Sequence, residues 1–256
     1  MRQLYAYRDL IRALVARELK VRYRRSAIGF LWTMLQPLLM MAVLAVVFSS
    51  IFRFQFPEGN YVVFVLSGLL FWNFFSQSIV SAMNSLRGNA ALLKKLPLPK
   101  EVFPLAAVIS GVVNLCLAFL PMLAILLFLG HPVRPAMLFL PVSVLIAALF
   151  TLGAGLLLSP LAVFFTDVVE LVGVLLAALM YLTPIIYPKE IVPERFLPIV
   201  RFNPVRSILE VFRDPIFYGK VPPATHLSVA VGIAVAVMAL GIVVFRKSSD
   251  RIPFYV

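Results

Sequence analysis

"VFPLAAVISGVVNLCLAFLPMLAILLFLG", residues 102–130, runs for 29 positions without an acidic, basic or histidine side chain. A helix rises about 1.5 Å per residue, so about 20 such residues cross a hydrocarbon core about 30 Å thick. No water is available there to satisfy backbone N–H and C=O groups, which leaves helices and closed barrels as the spanning structures. Barrel strands alternate apolar and polar residues, and this run does not, so it predicts a helix.

Five further apolar runs occupy residues 28–52, 61–83, 136–165, 168–186 and 227–245, the fourth of them with a single charged residue, Glu170. The chain is 62% hydrophobic and 13% charged, far from the roughly 45–50% apolar and about 25% charged balance of soluble domains. The expectation is an all-α polytopic membrane protein with six transmembrane helices. An N-terminal amphipathic interface helix precedes them, and short outer re-entrant helices precede the last span. All of 1–256 reads as one transmembrane domain: the interface helix in 1–27, spans one to five in 28–186, the outer helices in 187–226, and span six with a tail in 227–256. The first run is 25 residues long, against about 7–15 for a signal-peptide core, and Phe52, Arg53 and Phe54 follow it, so it reads as a retained span. Pro121, Pro141, the Gly153 and Gly155 pair, and Pro160 are candidate kink sites in the two longest runs.

A net charge of +12 suggests nucleic acid in a soluble chain. Here the basic residues flank apolar runs, where anionic lipid headgroups suit them, and no basic groove is visible; nucleic acid is set aside as a partner. With the amino terminus inside, 15 of the 23 Lys and Arg residues fall on the cytoplasmic side, and six of the eight outside share one segment with four acids. Both termini are therefore predicted to be cytoplasmic.

Three segments are not simple spans. Before the first run, Leu4, Tyr7, Ile11, Leu14 and Val15 recur at helical spacing, with Arg8, Arg12, Arg17 and Lys20 available for another face. That pattern predicts a basic helix lying in the inner membrane interface, the plainer alternative being a charged topology anchor. Between runs two and three, "NAALLKKLPLPKEVFPLA", residues 89–106, gathers lysines and prolines into an inner loop. Between runs five and six lies a long outer connection. Asn203 before Pro204 is a helix-start signal, Val205, Ile208, Leu209, Phe212 and Ile216 follow at helical spacing, and Gly219 can end the helix. A shorter helix within 191–202 is interrupted by Pro193 and Pro198. These pieces could dip into the outer leaflet, or rest on the surface as a hairpin.

The spans hold almost no ionisable residues, which disfavours ion-coupled transport. No GxxxxGK[ST] phosphate loop occurs, so energy for any work must come from a partner chain. His131 and His226 are each isolated beside a span end, which leaves no support for nucleophilic catalysis, and Cys116 is expected to be a small buried hydrophobe with no disulfide or metal partner. No metal site and no cofactor are expected on this chain. Among 22 Phe, 8 Tyr and 2 Trp residues, Trp32 fits an interface anchor and "LFWNFF", residues 70–75, is the densest cluster. Aromatic faces stack on the C–H faces of sugar rings, so Trp32, Phe48, Phe71, Trp72, Phe75 and Tyr181 are candidates to line a passage for glycans.

Four stretches together resemble the type-2 family of ABC transporter permeases, and within it the exporters of O-antigen and other lipid-linked polysaccharides: "RELKVRYRRSAIGFLWTMLQPLL" (17–39), "LLKKLPLPKEVFPLA" (92–106), "YLTPIIYPKEIVPERF" (181–196) and "FNPVRSILEVFRDPIFYG" (202–219). The chain departs from the family pattern at Leu98, where an aromatic is more usual, and at Lys100, where arginine is; the latter removes any argument from a bidentate contact. The resemblance implies a transport subunit without its own ATPase site, working as a homodimer with two nucleotide-binding subunits in the bacterial inner membrane. ATP and Mg belong to those partners, and the cargo is an undecaprenyl-linked glycan. It also implies that Arg8, Arg12 and Arg17 of the first helix, with Lys94, Lys95, Pro97, Pro99, Lys100 and Glu101 of the inner loop, couple to the ATPase. Tyr187, Pro188, Glu194, Arg195, Asn203, Pro204, Ile208, Phe212 and Arg213 then belong to an outer gate. The rival readings are an exporter of small drugs or lipids on the same fold, and a non-transporting scaffold for glycan synthesis.

Overall fold

The computed structural model describes residues 7–23, 60–96, 98–188 and 191–255, with the isolated positions 35, 39 and 43. Among the described residues every regular element is helical. Apart from those three positions the expected first span, together with Trp32, Phe48 and Pro97, lies outside them.

In chain order the α-helices are α1 (Arg8–Tyr23), α2 (Tyr61–Ser85), α3 (Ala90–Lys95), α4 (Val102–Phe128), α5 (Leu140–Phe164), α6 (Val168–Leu182), α7 (Leu197–Phe202), α8 (Pro204–Arg213) and α9 (Ala224–Ser249). Four helices are long and apolar enough to cross a membrane: α2, α4, α9, and α5 together with the 3₁₀ turn Pro135–Phe139 before it. The 15 residues of α6 rise only about 22 Å at 1.5 Å each. It stops at Leu182, short of the expected 186, because Pro184 forces Thr183 into an extended conformation (φ −103°, ψ 132°). The successive helices run up and down, so the C-terminal ends of α2, α5 and α9 meet the start of α4 at one end of the bundle. That end carries the lysines of the 89–106 stretch and is called here the basic end.

α2 is the central helix, in contact with α4, α5, α6 and α8, and it is buried along most of its length. Apolar residues gain nothing from leaving lipid for one another, so helices in a bilayer approach closely through small residues. Gly153 of α5 meets Gly241 of α9 in this way; a Cβ on Gly153 would stand 2.6 Å from the Met238 backbone. The Gly153 and Gly155 pair thus serves close packing, Gly155 against Ala82 of α2, while Pro121 and Pro160 sit within uninterrupted helices and Pro141 within the first turn of α5. Cys116, expected to be buried, is exposed on the outward face of α4, which the sequence could not show because α4 is apolar all round.

α1 departs from the expected interface helix in where its apolar stripe goes. Leu14 is buried in a second cluster with Leu93, Phe103, Phe245 and Ile252, and Leu10, Ile11 and Val15 lie against the same cluster. The stripe is used on the protein's own basic end, where burying a leucine away from water is worth about 1.5–3 kcal/mol.

Candidate functional site

The stretch between α2 and α4 is tied to three helix ends. A helix leaves its last carbonyls without intrahelical donors, and positive groups are favoured there by the helix dipole. Asn89 Nδ2 donates to the carbonyl of Ser85 at the end of α2 (2.7 Å). Arg87 Nη2 donates to the carbonyl of Val163 in the last turn of α5 (3.2 Å). Lys100 Nζ donates to the carbonyl of Ser249, the last residue of α9 (2.6 Å), and approaches its hydroxyl at 3.4 Å. α1 joins the same knot, since Arg17 Nη2 donates to Asn89 Oδ1 (2.6 Å).

Between these anchors α3 projects Lys94 and Lys95 outward, both exposed. Among the described residues neither side chain has a hydrogen bond or ion pair, so both remain available to another chain. Glu101 sits at the cap of α4, where a carboxylate suits the helix amino terminus, and the carbonyl of Pro99 accepts from Val102 N (3.2 Å). On α1, Arg8 and Arg12 are exposed and share Asp9, at 3.9 and 3.5 Å. The structure therefore gathers Arg17, Lys94, Lys95, Pro99, Lys100 and Glu101 at one end and adds Arg87, Asn89 and Ser249. The polar triplet Arg87–Gly88–Asn89 between two apolar runs was a readable signal; Ser249 gave none.

At the opposite end the Asn203–Pro204 signal holds. Asn203 Oδ1 accepts from Val205 N (3.0 Å), capping α8, while its Nδ2 donates to Thr183 Oγ1 (2.8 Å) and reaches the Leu182 carbonyl at 3.3 Å. One side chain thus starts α8 and ties it to the end of α6. The expected apolar set is real and fully used: Val205, Ile208, Leu209, Phe212 and Ile216 are all buried. α8 lies against α2, α5 and α9. A π-helical turn, Asp214–Tyr218, follows, and Gly219 at φ 60° ends it. The shorter piece consists of a 3₁₀ turn, Glu194–Phe196, and α7, with Pro198 in its first turn. Glu194 and Arg195 are exposed there, Arg195 over the Phe196 ring at 4.6 Å.

Arg213 is the unexpected centre of this end. Its side chain is 4% exposed, with Nη1 donating to the Pro184 carbonyl (2.7 Å) and Nη2 to the Ile185 carbonyl (2.9 Å). The guanidinium lies over the Phe64 ring at 3.8 Å, and Gly68 of α2 leaves room for it, since a Cβ there would overlap Nη2. A buried cation so placed answers the carbonyls that the break at Pro184 exposes. Tyr187, just beyond, donates to the Tyr181 carbonyl (2.7 Å), and burial pushes its phenol above the ordinary value.

The aromatic candidates divide. Phe71, Trp72 and Phe75 are buried inside the subunit's core, Phe71 against Phe212 (5.7 Å) and Phe75 stacked on Phe150 (5.5 Å). Among the described residues they fill the interior of the chain, since α2 is buried along most of its length. Tyr181 is exposed. Among the described residues no group of three or more His, Cys, Asp or Glu side chains could hold a metal ion.

A buried central helix, a knot of helix ends under exposed lysines and an amphipathic helix packed into the opposite end describe a multi-pass helical membrane protein. The profile of the ABC-2 type transporter family matches residues 9–217, and the chain belongs to that family. Among its relatives is the O-antigen export system permease protein RfbA of Myxococcus xanthus, 32% identical over 254 residues, 98% of this chain and 96% of that protein. RfbA of Klebsiella pneumoniae is 30% identical over 247 residues, 95% of this chain and 93% of that protein. The polysialic acid transport protein KpsM of Escherichia coli is 21% identical over 241 residues, 94% of this chain and 93% of that protein.

Proposed function

We propose that this chain is the permease subunit of an ATP-driven exporter that moves lipid-linked polysaccharide across the bacterial inner membrane. The observation that carries the reading is the end-to-end similarity to O-antigen export permeases, at 30–32% identity over 95–98% of the chain. Two copies form the exporter with two nucleotide-binding subunits, which hold ATP and Mg, and the cargo is an undecaprenyl-linked glycan. The basic end and both termini face the cytoplasm, as the distribution of Lys and Arg favours.

On this reading ATP-driven closure of the partners pushes on Lys94, Lys95 and the exposed arginines of α1. Anchored at the ends of α2, α5 and α9, the loop passes that displacement to three helices as a rigid piece, the kind of element a coupled motion requires. The α6–α8 end acts as the outer gate. The test is reconstitution of the purified chain with its ATPase: a polyprenyl-linked glycan should stimulate hydrolysis, and hydrophobic drugs should not. Stimulation by drugs alone would favour the small-molecule exporter, and failure to form any ATPase complex would favour the scaffold.

A further inference from the structure

The two histidines that are isolated in the sequence line one cavity. At the end opposite the lysine loop, a cavity of about 730 Å³ is lined by His131, Arg134, Phe217, Tyr218, Lys220 and His226, with Arg213, Glu210 and Asp214 also on its wall. The backbone is arranged around it. Among the described residues only Gly130 and Gly219 have positive φ, 66° and 60°, and each directly precedes a basic wall residue. Gly130 closes α4 with His131 N donating to the Leu126 carbonyl (2.9 Å) and its own N–H to Leu127 (3.1 Å), a helix stop that only a left-handed residue provides cheaply. Beyond Gly219 the N–H of Lys220 donates to the Asp214 carbonyl (3.2 Å).

The wall is held by its own contacts. His131 Nε2 lies 3.1 Å from the Ile216 carbonyl, so that nitrogen is the donor, and its ring is parallel to Phe217 at 6.4 Å. Arg134 Nη1 donates to the Tyr218 carbonyl (3.0 Å), and the arginine stem lies where a Cβ on residue 219 would be. Charge is not balanced within this wall. Among the described residues the wall carries Arg134, Arg213 and Lys220 against Glu210 and Asp214, and Glu210 is already paired with Arg206 at 2.8 Å. Arg134 and Lys220 have no ion pair among the described residues.

The geometry points to a binding site for a phosphate-bearing anion, a phosphodiester or a diphosphate, held by Arg134 and Lys220 in this cavity. A guanidinium with one N–H fixed on a carbonyl presents its remaining donors in a set plane, and a lysine adds a mobile charge; phosphate oxygens accept from both. The cavity exceeds a single phosphate, so the group attached to it can enter as well. The anion can come from a phospholipid headgroup, from a prenyl-linked diphosphate or from free diphosphate. The site goes beyond the transport reading and does not depend on it, since binding is measured on the full chain alone.

The test is calorimetric titration of the full-length protein in non-ionic detergent with inorganic pyrophosphate, dioctanoyl phosphatidylglycerol and farnesyl diphosphate. At least one probe should bind, and Arg134→Gln with Lys220→Gln should raise its Kd at least tenfold. Lys220→Gln alone, which touches no structural bond, should raise it about threefold, while Lys94→Gln with Lys95→Gln at the other end should leave it unchanged. Equal binding of all three probes assigns the site to phosphate itself, phosphatidylglycerol alone to the headgroup, and farnesyl diphosphate alone to the prenyl-linked diphosphate. The proposal is overturned if no probe binds, if Lys220→Gln leaves the Kd unchanged, if the Lys94/Lys95 variant loses binding equally, or if uncharged maltotriose displaces the probe.

Discussion

Lys100 Nζ lies 2.6 Å from the carbonyl oxygen of Ser249, joining two residues 149 positions apart in the chain. One stands just before α4, the other ends α9. Lys100→Met removes a charge-assisted bond from a helix end, at about 1–2 kcal/mol. The expected outcome is a modest drop in thermal stability in detergent together with a larger fall in export per ATP hydrolysed. Export coupled as in the wild type would show that the bond fastens the loop without transmitting motion.

Reversing the two free lysines, Lys94→Glu with Lys95→Glu, leaves every anchor of the loop in place. Stability should stay within about 0.5 kcal/mol, as for exposed residues in general, while association with the ATPase weakens or hydrolysis uncouples from export. Pull-down of the ATPase and glycan export, both unchanged, would remove these lysines from the coupling surface.

Arg213→Gln leaves the Pro184 and Ile185 carbonyls poorly answered in a buried place and removes the cation from the Phe64 ring. The loss should be about 3 kcal/mol or more, from two charge-assisted bonds at about 1.5–3 kcal/mol each. Arg213→Lys should recover little, because one ammonium cannot span two carbonyls and lie flat on a ring. Thermal unfolding followed by size-exclusion chromatography measures both, and a full rescue by lysine would show that charge alone suffices.

Phe212→Ala empties space between Phe71 and Phe119. A buried Phe→Ala change costs about 3–5 kcal/mol, and here it also loosens α8 against α2. We expect lower thermal stability and a leak of small ions through proteoliposomes. A destabilised protein that remains tight would place the outer seal elsewhere.

Gly153→Val places methyl groups against the backbone of α9. Overpacking of this kind costs about 1–3 kcal/mol, and since α5 and α9 touch along backbone, neither can yield by rotating a side chain. The folded fraction recovered in detergent should fall clearly, and Gly173→Val, with nothing within 4 Å of its added Cβ, is the matched control.

Runs of apolar residues, the Asn203–Pro204 start and the left-handed stop at Gly219 were legible in the sequence, because each is a local rule: length against bilayer thickness, a side-chain cap, a backbone that needs glycine. The buried set on α8 was legible for the same reason, as its amphipathic spacing is strong. The outward position of Cys116 was not, since a helix apolar all round carries no record of which side meets its neighbours. Neither was the interior place of Phe71, Trp72 and Phe75, for which composition suited a passage equally well.

The sequence by itself determined that this chain spans a membrane as helices and where the polar segments between its apolar runs fall. Only the tertiary structure decided what those segments hold. Arg87, Asn89 and Lys100 reach the ends of three helices, Arg213 answers carbonyls freed by Pro184, and His131, Arg134, Lys220 and His226 wall one cavity. Each of these joins residues far apart in the chain through single atoms, and such pairings are set by how the helices pack, which no local periodicity encodes.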